Sequence, residues 1–465
     1  MSEDAPTPVA ETIAGWLTTV RAVDLPPRAV DTARKLFIDV AGLCLAARHE
    51  DYVAATLAAT SDPLMRRSVR EGGCTAIGHE GGYDSFGAAL VNGTAAHGED
   101  YDDTFEGGPV HSGAVIVPAV LAACERERLA GDRLLIGVVT GVELLCRFSL
   151  VAPMGAHKAG FHPTAVYGAL ASAAAVAAAI GASTAATTSA IGIAGSMASG
   201  IIEYLAEGTW TKRMHAGWAA QSGLRAALMA RAGFAGPRTV LEGVNGAYRA
   251  FAHPVKPDFE PLLDGLGTRW VTGDVAFKPY ACGTMTQPFI DCAIKLAEDG
   301  VRADDITDIT CEVGEGTVHR LWEPLAGKHR PPTAYAAKFS TPFCMAVGFF
   351  DRKAGLAQFT GARIHDPAVL ALASRIRYVI NPADEYPKNF TGHLRATLKD
   401  GSRREFRQPH MRGGAHAPLS TAEVEAKFLD NALHGGLRRP SAERLLVLGR
   451  QVFDTPQVDA TEFRG

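Results

Sequence analysis

Three alanine-rich runs constrain this chain more than any other feature: Ala165–Ile180, Thr184–Ser199 and Met214–Ala232. Alanine is the strongest helix former because it has no side-chain freedom to lose. Its small volume also lets neighbouring helices approach closely, so the runs read as helices of a tightly packed bundle. Gly233 is placed to cap the last of them. Upstream, Pro26–Ala47 opens with two prolines and repeats Val30, Ala33, Phe37, Ala41 and Cys44 at helical spacing. Asp51–Ala59, Ser85–Ala96 and Leu134–Phe148 continue the helical pattern, the last with Glu143 inside an apolar run. Gly72–Gly82 reads as a glycine-rich loop. The first half of the chain carries almost no strand signal.

The pattern changes near residue 265. Ile306–Val313 and Ser374–Asn381 alternate apolar and polar residues, as half-buried strands do. Leu394–Leu398, Asp400-Gly401 and Arg403–Phe406 predict a hairpin with a primed turn. Helices are expected between these strands at Thr286–Glu298, Phe339–Phe350 and Pro367–Ser374. After about Pro409 helical spacing returns in Ala422–Leu433 and Ser441–Gln451. The expected architecture is mostly α: a helical domain over 1–265, an α/β domain over 266–409, and a return to the helical domain over 410–465. The α/β part is thus an insertion, and 465 residues are enough for two cores.

Composition narrows the function. The net charge of −4 and the lack of a basic block argue against nucleic acid and against a polybasic membrane anchor. The most apolar segment noted, Ala169–Ile180, is too short to span a bilayer. Eight scattered cysteines with no CxxC read as buried thiols of a reduced compartment. The start MSEDAPTP has no signal-peptide pattern, so a cytoplasmic location is expected.

Chemistry concentrates in Asn92–Pro118. This stretch holds His97, His111 and the carboxylates of Glu99, Asp100, Asp102, Asp103 and Glu106, with Gly93, Gly98, Gly107 and Gly108 interrupting any regular pattern and a long apolar run behind. Acid–base groups on a loop anchored by a buried element suit a catalytic site. His111, His162 and Lys212 each fall at a predicted helix start, where unpaired N–H groups favour anions. Taken singly, each is as well explained as an ordinary cap. Lys278 lies at the transition between the domains, placed to reach a cleft there and hold a carboxylate. Phosphate-binding glycine motifs and a GxSxG elbow are absent, which favours a reaction without an organic cofactor. A metal is the rival, with His97, Asp100 and His111 as a facial triad, although no HExxH pattern accompanies them.

With these residues in view, the chain resembles the MmgE/PrpD superfamily. The resemblance rests on NGTAAHGEDYDDTFEGGPVHSGAVIVPAVLA, GFHPTAVYGAL, GTWTKRMHAGWAAQSG and AFKPYACG, in that order. It implies a discontinuous helical domain with an inserted α/β lid, a homodimer, and catalysis without cofactor or metal. By motif position it implies a pocket of Asp100, Thr104, His111, His162, Lys212 and Lys278. In that pocket Asp100, His111 and His162 would move protons, while Thr104, Lys212 and Lys278 would bind substrate. The implied activity is that of a lyase on a small di- or tricarboxylate, with proton abstraction next to a carboxylate. Dehydration by β-elimination is the leading expectation, and epimerisation or decarboxylation is the alternative. Decarboxylase relatives carry a histidine where this chain has Gly283 and a tyrosine where Phe343 stands. From other classes, a metal-dependent hydrolase and a non-catalytic binding protein remain.

Overall fold

A computed structural model describes residues 6–60 and 73–465. The first five residues of the MSEDAPTP start and Gly72, which opens the predicted loop, lie outside the described residues. The chain forms two compact units. One comprises 1–98, 102–275 and 421–465, and the other comprises 99–101 and 276–420.

The main helices of the first unit are α1 (Pro27–Ala47), α2 (Ser85–His97), α3 (Gly113–Glu127), α4 (Gly131–Val151), α5 (Pro163–Ala179), α6 (Thr184–Met197) and α7 (Thr211–Arg231). Every residue of α5 is buried, which explains why its sequence shows no polar face. Helix α7 packs along α5, α2 and α6. Small residues make these contacts possible. A methyl group added at Gly217 would stand 2.1 Å from the Leu90 carbonyl oxygen, and one at Gly93 would stand 2.5 Å from the Gly217 Cα. Helices α2 and α7 therefore meet glycine on glycine, with His97 one turn past Gly93 and His215 two residues before Gly217. Helix α7 ends in a Schellman turn, as its sequence suggests. Phe234 N–H donates to Met229 O, Gly233 N–H donates to Ala230 O, and Gly233 has φ +96°.

A buried ion pair anchors the end of this unit's first long segment. Arg147 pairs with Glu143 one turn away and donates further to the carbonyls of Pro261, Leu262 and Asp264. Glu143 in turn accepts the backbone N–H groups of Val271 and Thr272. These bonds tie 261–272 to α4, so residues 266–275 belong to the helical unit rather than to the expected α/β range. The apolar helix α4 is long enough by length and composition to cross a membrane, and almost all of it is buried within the fold. It exceeds in length the 169–180 segment singled out on sequence.

The second unit is built on a four-stranded sheet. Helix α8 (Gln287–Glu298) precedes β1 (Ile306–Val313), and α9 (Thr341–Asp351) and α10 (Pro367–Ala373) precede β2 (Ile376–Ile380). Strands β3 (Gly392–Leu398) and β4 (Arg403–Gln408) follow, giving the order β2-β1-β3-β4. Strand β1 pairs parallel with β2, Ile309 opposite Ile376, and antiparallel with β3, Cys311 opposite Leu394. Helix α8 covers β3 and β4. The β3–β4 turn is not of the primed type. Gly401 N–H closes onto Leu398 O and only Gly401, with φ +80°, takes the left-handed region; Asp400 does not. This is an ordinary turn followed by a glycine bulge, which the Asp-Gly pair serves equally well. Residues 410–420 stay with this unit, since Gly413 O accepts from Phe277 N–H and Gly413 (φ +95°) packs its Cα against Phe277 O.

Helices α11 (Thr421–His434) and α12 (Arg439–Gln451) belong to the first unit, where both pack on α1. Lys427 of α11 forms a buried ion pair with Asp39 of α1 at 2.7 Å. All eight cysteines are buried, free thiols.

Candidate active site

In the first unit, α2 ends at His97. Its Nδ1 lies 2.6 Å from Asp102 Oδ2, with both side chains buried. The other oxygen of Asp102 is 3.4 Å from His111 Nδ1. That nitrogen also lies 2.7 Å from the Asp103 carbonyl, which can only accept, so it must carry the proton. Asp103 itself is a cap. Its carboxylate accepts from Ser112 N–H, Ser112 Oγ and Gly113 N–H at the start of α3. A methyl at Gly113 would stand 2.6 Å from that carboxylate, so glycine is needed there.

His162 occupies the N-cap position of α5, fixed by Pro163 and by its own N–H bonded to Gly200 O. Its ring stacks on His97 with centroids 5.5 Å apart. His111 lies 4.9 Å from His97 and 6.3 Å from His162. His215 of α7 completes the group, its Nδ1 3.2 Å from His162 Nδ1, and Tyr204 meets both rings edge-on. Four imidazoles thus share one buried cluster.

Burial sets their protonation. It lowers His97 despite the opposing charge of Asp102, and it holds His162 well below the usual imidazole range, helped by the neighbouring His97 and the Lys212 charge. His215 is pushed down to about 4 by burial and by the same two neighbours. Burial alone would raise Asp102, but the charges and hydrogen bonds of His97 and His111 hold it well below its ordinary value. Burial and the Asp102 charge raise Asp103, against the bonds from Ser112 and Gly113. The outcome is an ionised Asp102 close to three rings, His97, His162 and His215, that burial keeps neutral at neutral pH.

Of the residues expected from sequence, His111 and His162 lie in this cluster. Half-buried Lys212, inside the first turn of α7, is near enough to act on three of its rings. Thr104 is buried on the short extended segment Thr104–Phe105 of the same unit. Asp100 and Lys278 come together in the second unit. Lys278 Nζ donates to the Asp100 backbone carbonyl at 2.8 Å and is 3.8 Å from its carboxylate, while Tyr335 OH donates to Asp100 Oδ2 at 2.9 Å. Asp100 has φ +55°, a left-handed backbone that is uncommon for a residue other than glycine. Lys338 pairs with the Glu99 carboxylate and donates to the Glu99 carbonyl at 2.8 Å. Two lysines, each almost fully buried, therefore grip consecutive carbonyls of the 99–101 segment. Lys278, expected to hold a substrate carboxylate, has its ammonium on main chain here.

Sequence reasoning missed His215, Asp102 as the partner carboxylate, and Tyr335. His215 could have been found, since it lies three residues after Lys212 on the same helix face. Asp102 and Tyr335 carried no spacing signal. The facial triad weighed on sequence has its geometry with Asp102 in place of Asp100: His97, Asp102 and His111 put one donor atom each within 4.8 Å of the others. The Asp102 carboxylate, however, is already engaged by both imidazoles, and the Lys212 charge bears on the same cluster. The trio fits proton exchange better than metal binding.

Comparison with known proteins agrees with this architecture. Residues 11–260 match the MmgE/PrpD N-terminal domain and residues 280–447 the MmgE/PrpD C-terminal domain. The chain is 27% identical to a cis-aconitate decarboxylase-like protein, oryM, of Aspergillus oryzae, over 90% of this chain and 89% of that protein. It is 26% identical to a cis-aconitate decarboxylase of Aspergillus terreus (85% and 83% covered) and 29% identical to one of Mus musculus (79% and 75% covered). With both domain models matched in order along nearly its whole length, the chain belongs to the MmgE/PrpD family.

Proposed function

We propose that this protein is a lyase that decarboxylates a small unsaturated tricarboxylate of the cis-aconitate class, using only its own side chains. The observation that carries the reading is the buried cluster of His97, His111, His162 and His215, with Lys212 close by. In the reaction a C–C bond to a carboxylate breaks and CO2 leaves. The electron pair stays on the carbon skeleton, spread over the neighbouring double bond and carboxylate, until a proton is added to carbon. Developing negative charge in a water-poor site is stabilised by a fixed cation, which Lys212 supplies. The proton comes from an imidazole whose basicity burial has reduced, so that its conjugate acid gives it up readily. The names of the relatives favour decarboxylation over the dehydration that led on sequence.

Dehydration remains the second reading because of Gly283, where decarboxylase relatives have an imidazole. The experiment is a panel of di- and tricarboxylates, including cis-aconitate and 2-methylcitrate, incubated with the enzyme in D2O and followed by NMR. Loss of CO2 with one deuterium incorporated at carbon is expected. Alkene formation from a hydroxy acid would replace the decarboxylase reading with a dehydratase, and exchange with inversion would replace it with an epimerase.

A further inference from the structure

Three imidazoles of the cluster are anchored in one way. His97 holds its Nδ1 on Asp102, and His111 holds its Nδ1 on the Asp103 carbonyl. His162 has its Nδ1 on His215 Nδ1, at 3.2 Å. In the first two, the partner is an oxygen that accepts, so Nδ1 carries the proton and Nε2 is left for chemistry. The third differs because its partner is another imidazole, which can donate or accept.

We propose that His215 is a positioning residue that accepts from His162 Nδ1–H and thereby keeps proton gain and loss on His162 at Nε2. It does for His162 what Asp102 does for His97. The inference rests on reading His162 as the proton donor, and the chemistry then selects the direction of the bond. Were His215 the donor, neutral His162 would carry its only proton on Nε2, and giving it up would create an imidazolate. With His215 as acceptor, His162 is a neutral ring protonated at Nδ1 until the charge of a bound carboxylate favours the imidazolium, and it cycles between these two forms. The imidazolium transfers its Nε2 proton to carbon, the N–H bond pair stays on nitrogen, and water restores the proton. A neutral acceptor also stabilises that imidazolium less than a carboxylate would, which makes His162 a stronger acid than carboxylate-anchored His97. Its surroundings act in the same sense, since His97, His111, His215 and Lys212 all disfavour its cationic form. The geometry has support on both sides. His162 is fixed at the start of α5, and Gly200, whose carbonyl binds the His162 N–H, lies against the His215 ring.

The test compares His215→Leu, His215→Asn and His215→Gln. An asparagine amide reaches the place of the imidazole Nδ1 and can accept there, whereas a glutamine amide reaches the place of Nε2. Protein labelled with 15N-histidine reports the His162 tautomer directly, its signal assigned by loss in His162→Gln. In the wild type and in His215→Asn, His162 should be protonated at Nδ1; in His215→Leu and His215→Gln the proton should move to Nε2. With substrate, kcat should fall about ten- to a hundredfold in the Leu and Gln variants, with KM within about twofold, and largely recover in the Asn variant. A wild-type His162 protonated at Nε2, or a tautomer unchanged in both His215→Leu and His215→Gln, overturns the proposal. The NMR needs no turnover. Expected tautomers in a protein inactive on every carboxylate would leave the positioning role standing and sink the functional reading alone.

Discussion

His97 Nδ1 and Asp102 Oδ2 lie 2.6 Å apart, and neither side chain reaches solvent. A contact this short between an imidazole N–H and a carboxylate is charge-assisted, and it fixes both the tautomer and the plane of the ring. The opposite nitrogen, His97 Nε2, is buried with no hydrogen-bond partner. Leaving such an atom unsatisfied costs about 1–3 kcal/mol. That cost falls where three other imidazoles and a lysine gather, in keeping with a site shaped for proton transfer rather than for stability.

Asp102→Asn is expected to lower kcat by about two to four decades, the usual worth of a positioned acid–base group. The amide keeps the size of the carboxylate but loses its charge. Steady-state kinetics beside a thermal melt separates this from unfolding. A folded variant with turnover within threefold of wild type would remove the dyad from the mechanism.

The buried histidines make the helical unit acid-labile. His215 has an ordinary value of 6.5 and is pushed down to about 4 in the fold, so between these values the unfolded chain binds a proton that the folded chain refuses. Stability therefore rises with pH across this window and is lost as pH falls from about 6.5 to about 4. His215 alone accounts for about 3 kcal/mol of that loss. Urea midpoints at pH 7 and pH 4.5 should differ markedly in the wild type and less in His215→Asn. Equal pH sensitivity in both would refute the assignment.

The lysine grip on residues 99–101 is a stability device in the second unit. Lys338→Ala leaves the Glu99 carboxylate and carbonyl without their ammonium, and Lys278→Ala does the same to the Asp100 carbonyl. Breaking a buried pair by removing one partner costs about 3–5 kcal/mol. Each variant should melt several degrees lower before any kinetic effect is assigned. A variant with an unchanged melting temperature and a raised KM would instead return Lys278 to the substrate-binding role expected from sequence.

Exhaustive chelation should leave turnover unchanged, because the Asp102 carboxylate is already engaged by His97 and His111 and the Lys212 charge disfavours a second cation in the cluster. Loss of activity with EDTA, restored by one divalent ion, would make His97, Asp102 and His111 the place to look for it.

Much of the architecture was legible because helix formation leaves a periodic trace. Alanine-rich α5 and α7 and the alternation in β1 and β2 all follow local rules. The β3–β4 turn misled because Asp-Gly serves two turn types, and only the backbone angle at Asp400 separates them. In the site, His111 and His162 were visible at helix starts. Asp102 does not stand out because nothing in a run of acidic residues tells which one meets His97, and Asp100 and Asp102 are both buried. Lys278 was read as free to bind substrate because a sequence does not show that a lysine ends on a main-chain carbonyl 178 residues away.

The Lys427–Asp39 pair has a consequence for how the protein is made. Asp39 and its helix leave the ribosome hundreds of residues before Lys427 does, and the surface of α1 that receives Phe428 beside Gly42 stays bare meanwhile. The helical unit can close only after residues 421–451 have been made, whereas residues 276–420 emerge as one continuous piece able to fold earlier. A nascent chain halted before residue 421 would lack the Lys427 ammonium that meets buried Asp39 in the finished unit. Such chains are natural targets for chaperones and proteases. Residues 421–465 are thus the last of the described segments to join the helical unit.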